Sequence, residues 1–421
     1  MREIKKSSGQ LKSLIALEEF HEEWQKNTKA KIIAGEHWGI CCINEAEEIF
    51  LAMDIPYVFA FRGWSSNIPR QQFEQIMDQK GYNRCYLCGQ GLASTILQDP
   101  RMEPIGEKVK PPVIIRSTDC AIGLRLSETW AKEYNAPFFP LQLCYFDGIT
   151  KQPVPRRWEK LRDHWDEVID ARKIDLKVEE LKELIKFLEI TTGKTFSMNK
   201  LMKIMELVNE QNDYFRKARD LIAETSPCPV TVLDQQAIYH RLQERRGTAQ
   251  VRDIAKMFYE DVKDRVEKSE APCPNEKVRM MWLGGGSKDL YKYFEEKYGA
   301  TVVCSSHLSA GADCYYRRII NNDPLRALAS RYVYLGVFHG LGGPDWMFNE
   351  AKRHKVNGVV QISNIGKNCP HNILDQLTAI SYEQLGLPTC TIYAGSVENA
   401  ERNDAKIKIQ ISQFIENRLL P

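Results

Sequence analysis

Short apolar runs alternate with helical stretches in two separate parts of this chain, and that alternation constrains the fold more than any other feature. In the first third, Tyr57–Phe61, Val113–Arg116 and Phe138–Leu143 are apolar runs bounded by proline or polar residues. Helical stretches occupy Asn44–Met53, Gln71–Gln79, Ser94–Gln98 and Ile122–Tyr134, and an amphipathic helix is expected around Leu11–Trp24. In the last third, Val278–Leu283 leads into Gly284-Gly285-Gly286-Ser287, a helical segment and the strand Thr301–Cys304. Further strands are expected at Val333–Val337, Gly358–Ile362 and Thr389–Tyr393. Strand–helix–strand order of this kind builds mostly parallel sheets. From about Arg156 to Ser269 the chain is instead rich in Glu, Lys and Leu and reads as four helices, 158–173, 178–193, 198–225 and 251–268, with Gly193 placed to stop one of them. The expected fold is therefore α/β: two Rossmann-like, mostly parallel-sheet lobes with a helical insertion between them. The segments are a 1–29 N-terminal helix, a 30–155 first lobe, a 156–275 helical region and a 276–421 second lobe. The helical region is either an insertion or a set of helices spanning both lobes, and its charge runs read as solvated faces.

Composition excludes several functions. The formal net charge is +2 with both signs mixed throughout, which gives no nucleic-acid surface. No apolar run approaches the roughly 20 residues of a membrane span. The start of the chain is basic but lacks an apolar signal core, which points to a cytoplasmic protein. In that setting twelve cysteines are either buried, inert thiols or metal ligands, rather than a disulfide scaffold.

The motifs taken singly are weak. The glycine run lacks both the G-x-G-x-x-G spacing and the P-loop Lys-Ser/Thr, so a tight strand-to-helix turn is the plain reading. Cys85-Tyr86-Leu87-Cys88 is a single C-x-x-C without the second pair a zinc site wants. Cys228 and Cys273 stand beside prolines and read as packing residues. Position is more informative. Cys85 and Cys88 precede a helix expected to begin near Gly91, Cys120 follows the 113–116 strand, and Cys369 precedes Pro370 at a helix start. Helix N-termini stabilise thiolates. Three such cysteines, two in one lobe and one in the other, leave inert thiols and a metal site both open.

Three segments carry a family resemblance. GYNRCYLCGQGLAST (81–95), PPVIIRSTDCAIGLRLSETWAKEYNAPFFPLQL (111–143) and VNGVVQISNIGKNCPHNILDQLTAISYEQLGLPTCTIY (356–393) resemble the cysteine-bearing segments of the iron–sulfur 2-hydroxyacyl-CoA dehydratase and benzoyl-CoA reductase family, larger-subunit type. The likeness spans roughly 30–415, and the 35-residue spacing from Cys85 to Cys120 (120 − 85) fits the family better than a count from Cys88. The resemblance implies one [4Fe-4S] cluster in the interdomain cleft, held by Cys85, Cys120 and Cys369, with one iron left open to substrate. It implies elimination of water from a 2-hydroxyacyl-CoA through a ketyl radical anion. The electron would come from a separate ATP-hydrolysing iron–sulfur activator, and a homologous second subunit would complete a heterodimer. Other members reduce aromatic acyl-CoA rings. A further branch, with self-association as a homodimer, carries a double-cubane [8Fe-9S] cluster, for which Cys42, Cys88, Cys144 and Cys314 are the additional candidates. A non-catalytic electron-transfer partner is the remaining alternative. His371, close to Cys369, is the one candidate for proton transfer. Ala394-Gly395-Ser396-Val397-Glu398 stands where the family has an acidic turn containing Asp-Pro, and the 340–346 segment also departs from it, so the substrate stays open.

Overall fold

The computed structural model describes residues 5–7, 9–42, 45–59, 68–82, 86–98, 109–118, 121–142, 160–284, 286–305, 315–335, 344–363, 382–383, 386–393 and 404–420. Its strands are β1 (Lys5–Lys6), β2 (Gly39–Cys41), β3 (Tyr57–Phe59), β4 (Val113–Ser117), β5 (Phe138–Leu141), β6 (Glu270–Ala271), β7 (Val278–Gly284), β8 (Ala300–Ser305), β9 (Gly358–Ser363) and β10 (Thr389–Tyr393). Two four-stranded sheets form, β3-β2-β4-β5 and β8-β7-β9-β10, and every pairing in them is parallel. In both sheets the strands lie in the spatial order second, first, third, fourth along the chain, so the two α/β units share one topology. A short parallel pair, β1 with β6, ties the N-terminal segment to the end of the helical stretch.

Each sheet alternates its side chains between two apolar layers, as the period of two demands. On the first sheet, Ile40 and Ile114 face helices Arg70–Lys80, Tyr86–Leu97 and Ala121–Tyr134, while Cys41, Tyr57, Val113 and Ile115 face the opposite layer. On the second, Met280, Trp282, Val302 and Val360 face helices Lys288–Tyr298 and Asp404–Phe414, and Met281, Leu283, Val303 and Val359 face the other way. The Met198–Glu224 helix serves both cores: Leu201, Met205 and Val208 enter the first, Phe215, Ala218 and Ile222 the second. The central helices thus span the two units, the second of the two sequence readings.

Local chemistry sets the helix ends. Asp170 accepts from the Arg172 amide and opens Ala171–Thr192, so the expected 158–173 helix is interrupted there, with Trp165–Val168 as a separate turn. Gly193 closes Ala171–Thr192 in the left-handed conformation, as its position predicts. The N-terminal helix runs further than expected, Lys12–Ile33.

One strand expectation is overturned: Val333 lies in the helix Pro324–Leu335, not in a strand. Asp323 accepts from the Arg326 amide at 2.9 Å and Pro324 occupies the first helical position, so the helix is started well before the apolar run. Burial of Leu325, Leu328 and Tyr332 on its inner side overrides the strand preference of that run.

The strand ends at Gly284 and a helix begins at Lys288, on either side of the glycine run as expected. Gly284 has φ +88°, and a Cβ there would stand 2.1 Å from the Ile362 carbonyl oxygen on the paired strand. Ser287 then accepts from the Leu290 amide and caps the following helix. Gly284→Ala is expected to destabilise the protein by about 2–3 kcal/mol, because strain and a backbone clash combine. A urea titration shows it as a lowered midpoint. No helix of the described residues is long and apolar enough to cross a membrane.

Candidate functional site

The helix carrying Cys88 begins at Tyr86, not near Gly91, so Cys88 lies inside its first turn, half-buried. Tyr86 is the residue immediately after Cys85. The next helix begins at Ala121, the residue immediately after Cys120, and β4 ends at Ser117, three residues before it. Cys85, Cys120 and Cys369 themselves, with His371, Cys144 and Cys314, lie outside the described residues.

The two helices pack on each other. Trp130 Nε1 donates to Thr95 Oγ1 at 2.9 Å, and a Cβ on Gly91 would stand 2.5 Å from Trp130 Cζ2, so only glycine admits the indole there. Thr95 is ten residues after Cys85, and Trp130 is ten after Cys120 (95 − 85 = 130 − 120). A helical side chain leans toward its own N-terminus, and the far edge of the ring covers Gly91, on the N-terminal side of Thr95. The helices therefore run in the same direction, with their first residues at the same end. For the 121–134 helix that end is the exit of β4, the C-terminal edge of a parallel sheet, where such folds bind ligands.

The order of the first sheet reverses between β2 and β4. Glu45, wholly buried, fills this position. Its carboxylate accepts from the Cys42 amide at 2.5 Å, the Ser117 amide at 2.6 Å and Arg116 Nη1 at 3.1 Å, and its carbonyl oxygen accepts from the Tyr332 hydroxyl. Beside it, Glu48 takes two hydrogen bonds from Arg246 (2.5 and 2.9 Å) and two from Arg331, while Arg246 also reaches Glu47 at 3.0 Å. All of these acidic side chains, Arg246 and Arg331 are 0% exposed, and Arg116 is 4% exposed. Arg246 and Arg331 also lie over the Tyr315 ring, at 4.6 and 5.3 Å. Burial alone would raise the Glu48 carboxyl, but the two guanidiniums more than reverse it and hold it well below the usual carboxylate range.

None of these charged residues was a candidate from sequence. Arg246 and Arg331 stand about 200 and 280 positions from Glu48, so the pairing leaves no local pattern. The one available hint was Glu47-Glu48 in front of the apolar Ile49-Phe50-Leu51.

The described cysteines divide clearly. Cys42, an additional-ligand candidate, is buried at the end of β2 with its amide on Glu45. Burial, reinforced by Glu47 and Glu45, pushes the Cys41 thiol far up. Burial likewise drives Cys228 up to about 12 and raises Cys273, while Cys228 Sγ donates to the Val230 carbonyl. These are packing thiols, as read from sequence. No group of three or more His, Cys, Asp or Glu side chains among the described residues is arranged to hold a metal ion.

Two of the three candidate cysteines directly precede helices, and helix first turns favour a charged sulfur.

Comparison with known proteins identifies the family. The (R)-2-hydroxyisocaproyl-CoA dehydratase alpha subunit of Clostridioides difficile is 28% identical over 120 residues, 28% of this chain and 29% of that relative, so the match spans under a third of its length. The model of the family described as 2-hydroxyglutaryl-CoA dehydratase, D-component, matches residues 42–417, nearly the whole chain. The chain belongs to the 2-hydroxyglutaryl-CoA dehydratase D-component family.

Proposed function

We propose that this chain is a [4Fe-4S]-dependent subunit of a radical 2-hydroxyacyl-CoA dehydratase, with Cys85, Cys120 and Cys369 as the cluster ligands. Family membership over residues 42–417 carries the reading. The matched directions of the helices that follow Cys85 and Cys120 support it. Bound there, the cluster would supply a low-potential electron to the thioester and take it back at the end, which makes loss of the 2-hydroxyl as hydroxide and of an otherwise non-acidic C3 proton feasible with no net redox change. The protein's own part is to hold thiolates at helix starts and to exclude water from the site. The partners are an ATP-hydrolysing iron–sulfur activator and a homologous subunit. His371 is proposed as a proton carrier, and the protein as cytoplasmic.

The test is an anaerobic assay with activator, ATP and reductant against 2-hydroxyacyl-CoA, benzoyl-CoA and acetylene. Dehydration of the first is the expected result. Turnover of benzoyl-CoA or acetylene alone would move the chain to the reductase branches, and silence on all three would leave an electron-transfer partner.

A control belongs with it. Cys228→Ser is expected to leave bound iron unchanged, since that thiol is buried against the Val230 carbonyl. Iron analysis of the purified variant checks it.

A further inference from the structure

Glu45 occupies an unusual place. In an open parallel sheet the point where strand order reverses leaves a crevice beyond the strand ends, usually filled by ligand. Here a carboxylate of the chain itself fills it and joins both walls: Oε2 takes the amide of Cys42 at the exit of β2, and Oε1 takes the amide of Ser117 at the exit of β4. The strand exits are further fixed by the Thr118 amide, which donates to the Leu141 carbonyl of β5. Arg116 extends the grip. It donates to Glu45 at 3.1 Å, and a Cβ on Gly123 would stand 2.6 Å from its Nη2, so the guanidinium lies against the first turn of the 121–134 helix. Glu45 therefore holds the residues on the strand side of Cys120 directly and those on the helix side through Arg116. The Tyr332 hydroxyl on the Glu45 carbonyl ties this assembly to the 324–335 helix.

We propose that Glu45 is a positioning residue that fixes Ser117 and, through Arg116, the start of the 121–134 helix, and so sets the placement of Cys120 for the cluster. The proposal rests on the cluster reading above. Glu45 acts through Ser117 and Arg116 rather than on substrate. A neutral carboxamide in its place keeps the shape but turns an amino group toward donors, so at least one of the three hydrogen bonds is lost. Glu48 supplies the comparison. It is equally buried in the same charged assembly, but its carboxylate accepts from Arg246 and Arg331, neither of them on a strand exit.

The test compares Glu45→Gln, Glu45→Asp and Glu48→Gln in the full chain, each confirmed folded by circular dichroism. Two readouts are taken: the iron content and electron paramagnetic resonance spectrum of anaerobically purified protein, and, in the iron-free chain, the alkylation rate of Cys120 measured by peptide mass spectrometry. Glu45→Gln is expected to lose at least half its iron or to shift the spectrum, and to change Cys120 alkylation by roughly tenfold. Glu45→Asp should recover part of the effect, and Glu48→Gln should keep wild-type values in both readouts even if its melting temperature falls. Wild-type iron, spectrum and Cys120 reactivity in Glu45→Gln would overturn the proposal, as would equal changes in Glu48→Gln. Iron-free wild-type protein would defeat the cluster reading instead, and the alkylation comparison would still decide whether Glu45 governs the placement of Cys120.

Discussion

Replacing Cys85, Cys120 or Cys369 by alanine is expected to reduce bound iron below about a tenth of the wild-type level and to abolish turnover. A cubane held by three thiolates has no spare protein ligand, so losing one leaves only two anchors. The effect should be alike for all three positions although they fall in different parts of the sequence. The described helices next to two of them, beginning at Tyr86 and Ala121, pack on each other through Trp130, Thr95 and Gly91 with their first residues at the same end. Serine is the milder substitution, since its oxygen is a poorer ligand for iron in this setting but fills the same space. Iron analysis, visible absorption and the dehydration assay check the prediction together. Full iron in the Cys120 variant would remove that residue from the ligand set.

The second large effect concerns the buried charges. Arg246→Ala is expected to destabilise the protein by about 3–5 kcal/mol, because it leaves Glu47 and Glu48 buried without a principal partner. At the usual scaling for a chain of this length, this lowers the melting temperature by roughly 3–6 °C. The pH dependence has a defined sign. The folded Glu48 carboxyl lies well below its ordinary value, because Arg246 and Arg331 outweigh burial. As pH falls, the unfolded chain therefore takes up this proton first. The stabilisation is complete above the ordinary carboxylate range, near about 4.3, and is lost as pH drops through that range toward the folded value. Glu48→Gln should accordingly show a shallower loss of stability on acidification than wild type. Thermal melts at a series of pH values check this, and parallel acid limbs for the two proteins would contradict it.

Much of the fold was legible because it is written locally. The 113–116 and 138–143 runs, the glycine turn after Leu283 and the stop at Gly193 each carry their signal within a few residues. β2, the central strand of the first sheet, was missed because Gly39-Ile40-Cys41 is too short to show an alternation and includes a glycine. The Val333 region was misread because its apolar run was weighed without the Asp323-Pro324 start that precedes it. The candidate ligands rested on a different kind of signal. Cys85, Cys120 and Cys369 were picked out by their place before helices and by family likeness, and the helix starts at Tyr86 and Ala121 fit that placement for the first two. The charged assembly around Glu45 was illegible because its members meet only in three dimensions. Glu45 touches Arg116 and Tyr332 from about 70 and 290 positions away, and no window of sequence contains them together.

The most direct test of the central claim is the ratio of iron and acid-labile sulfide to protein in the anaerobically purified wild-type chain. About four of each per chain is the expected result for a single cubane, whereas protein with less than about one iron per chain after anaerobic purification and reconstitution would contradict the claim.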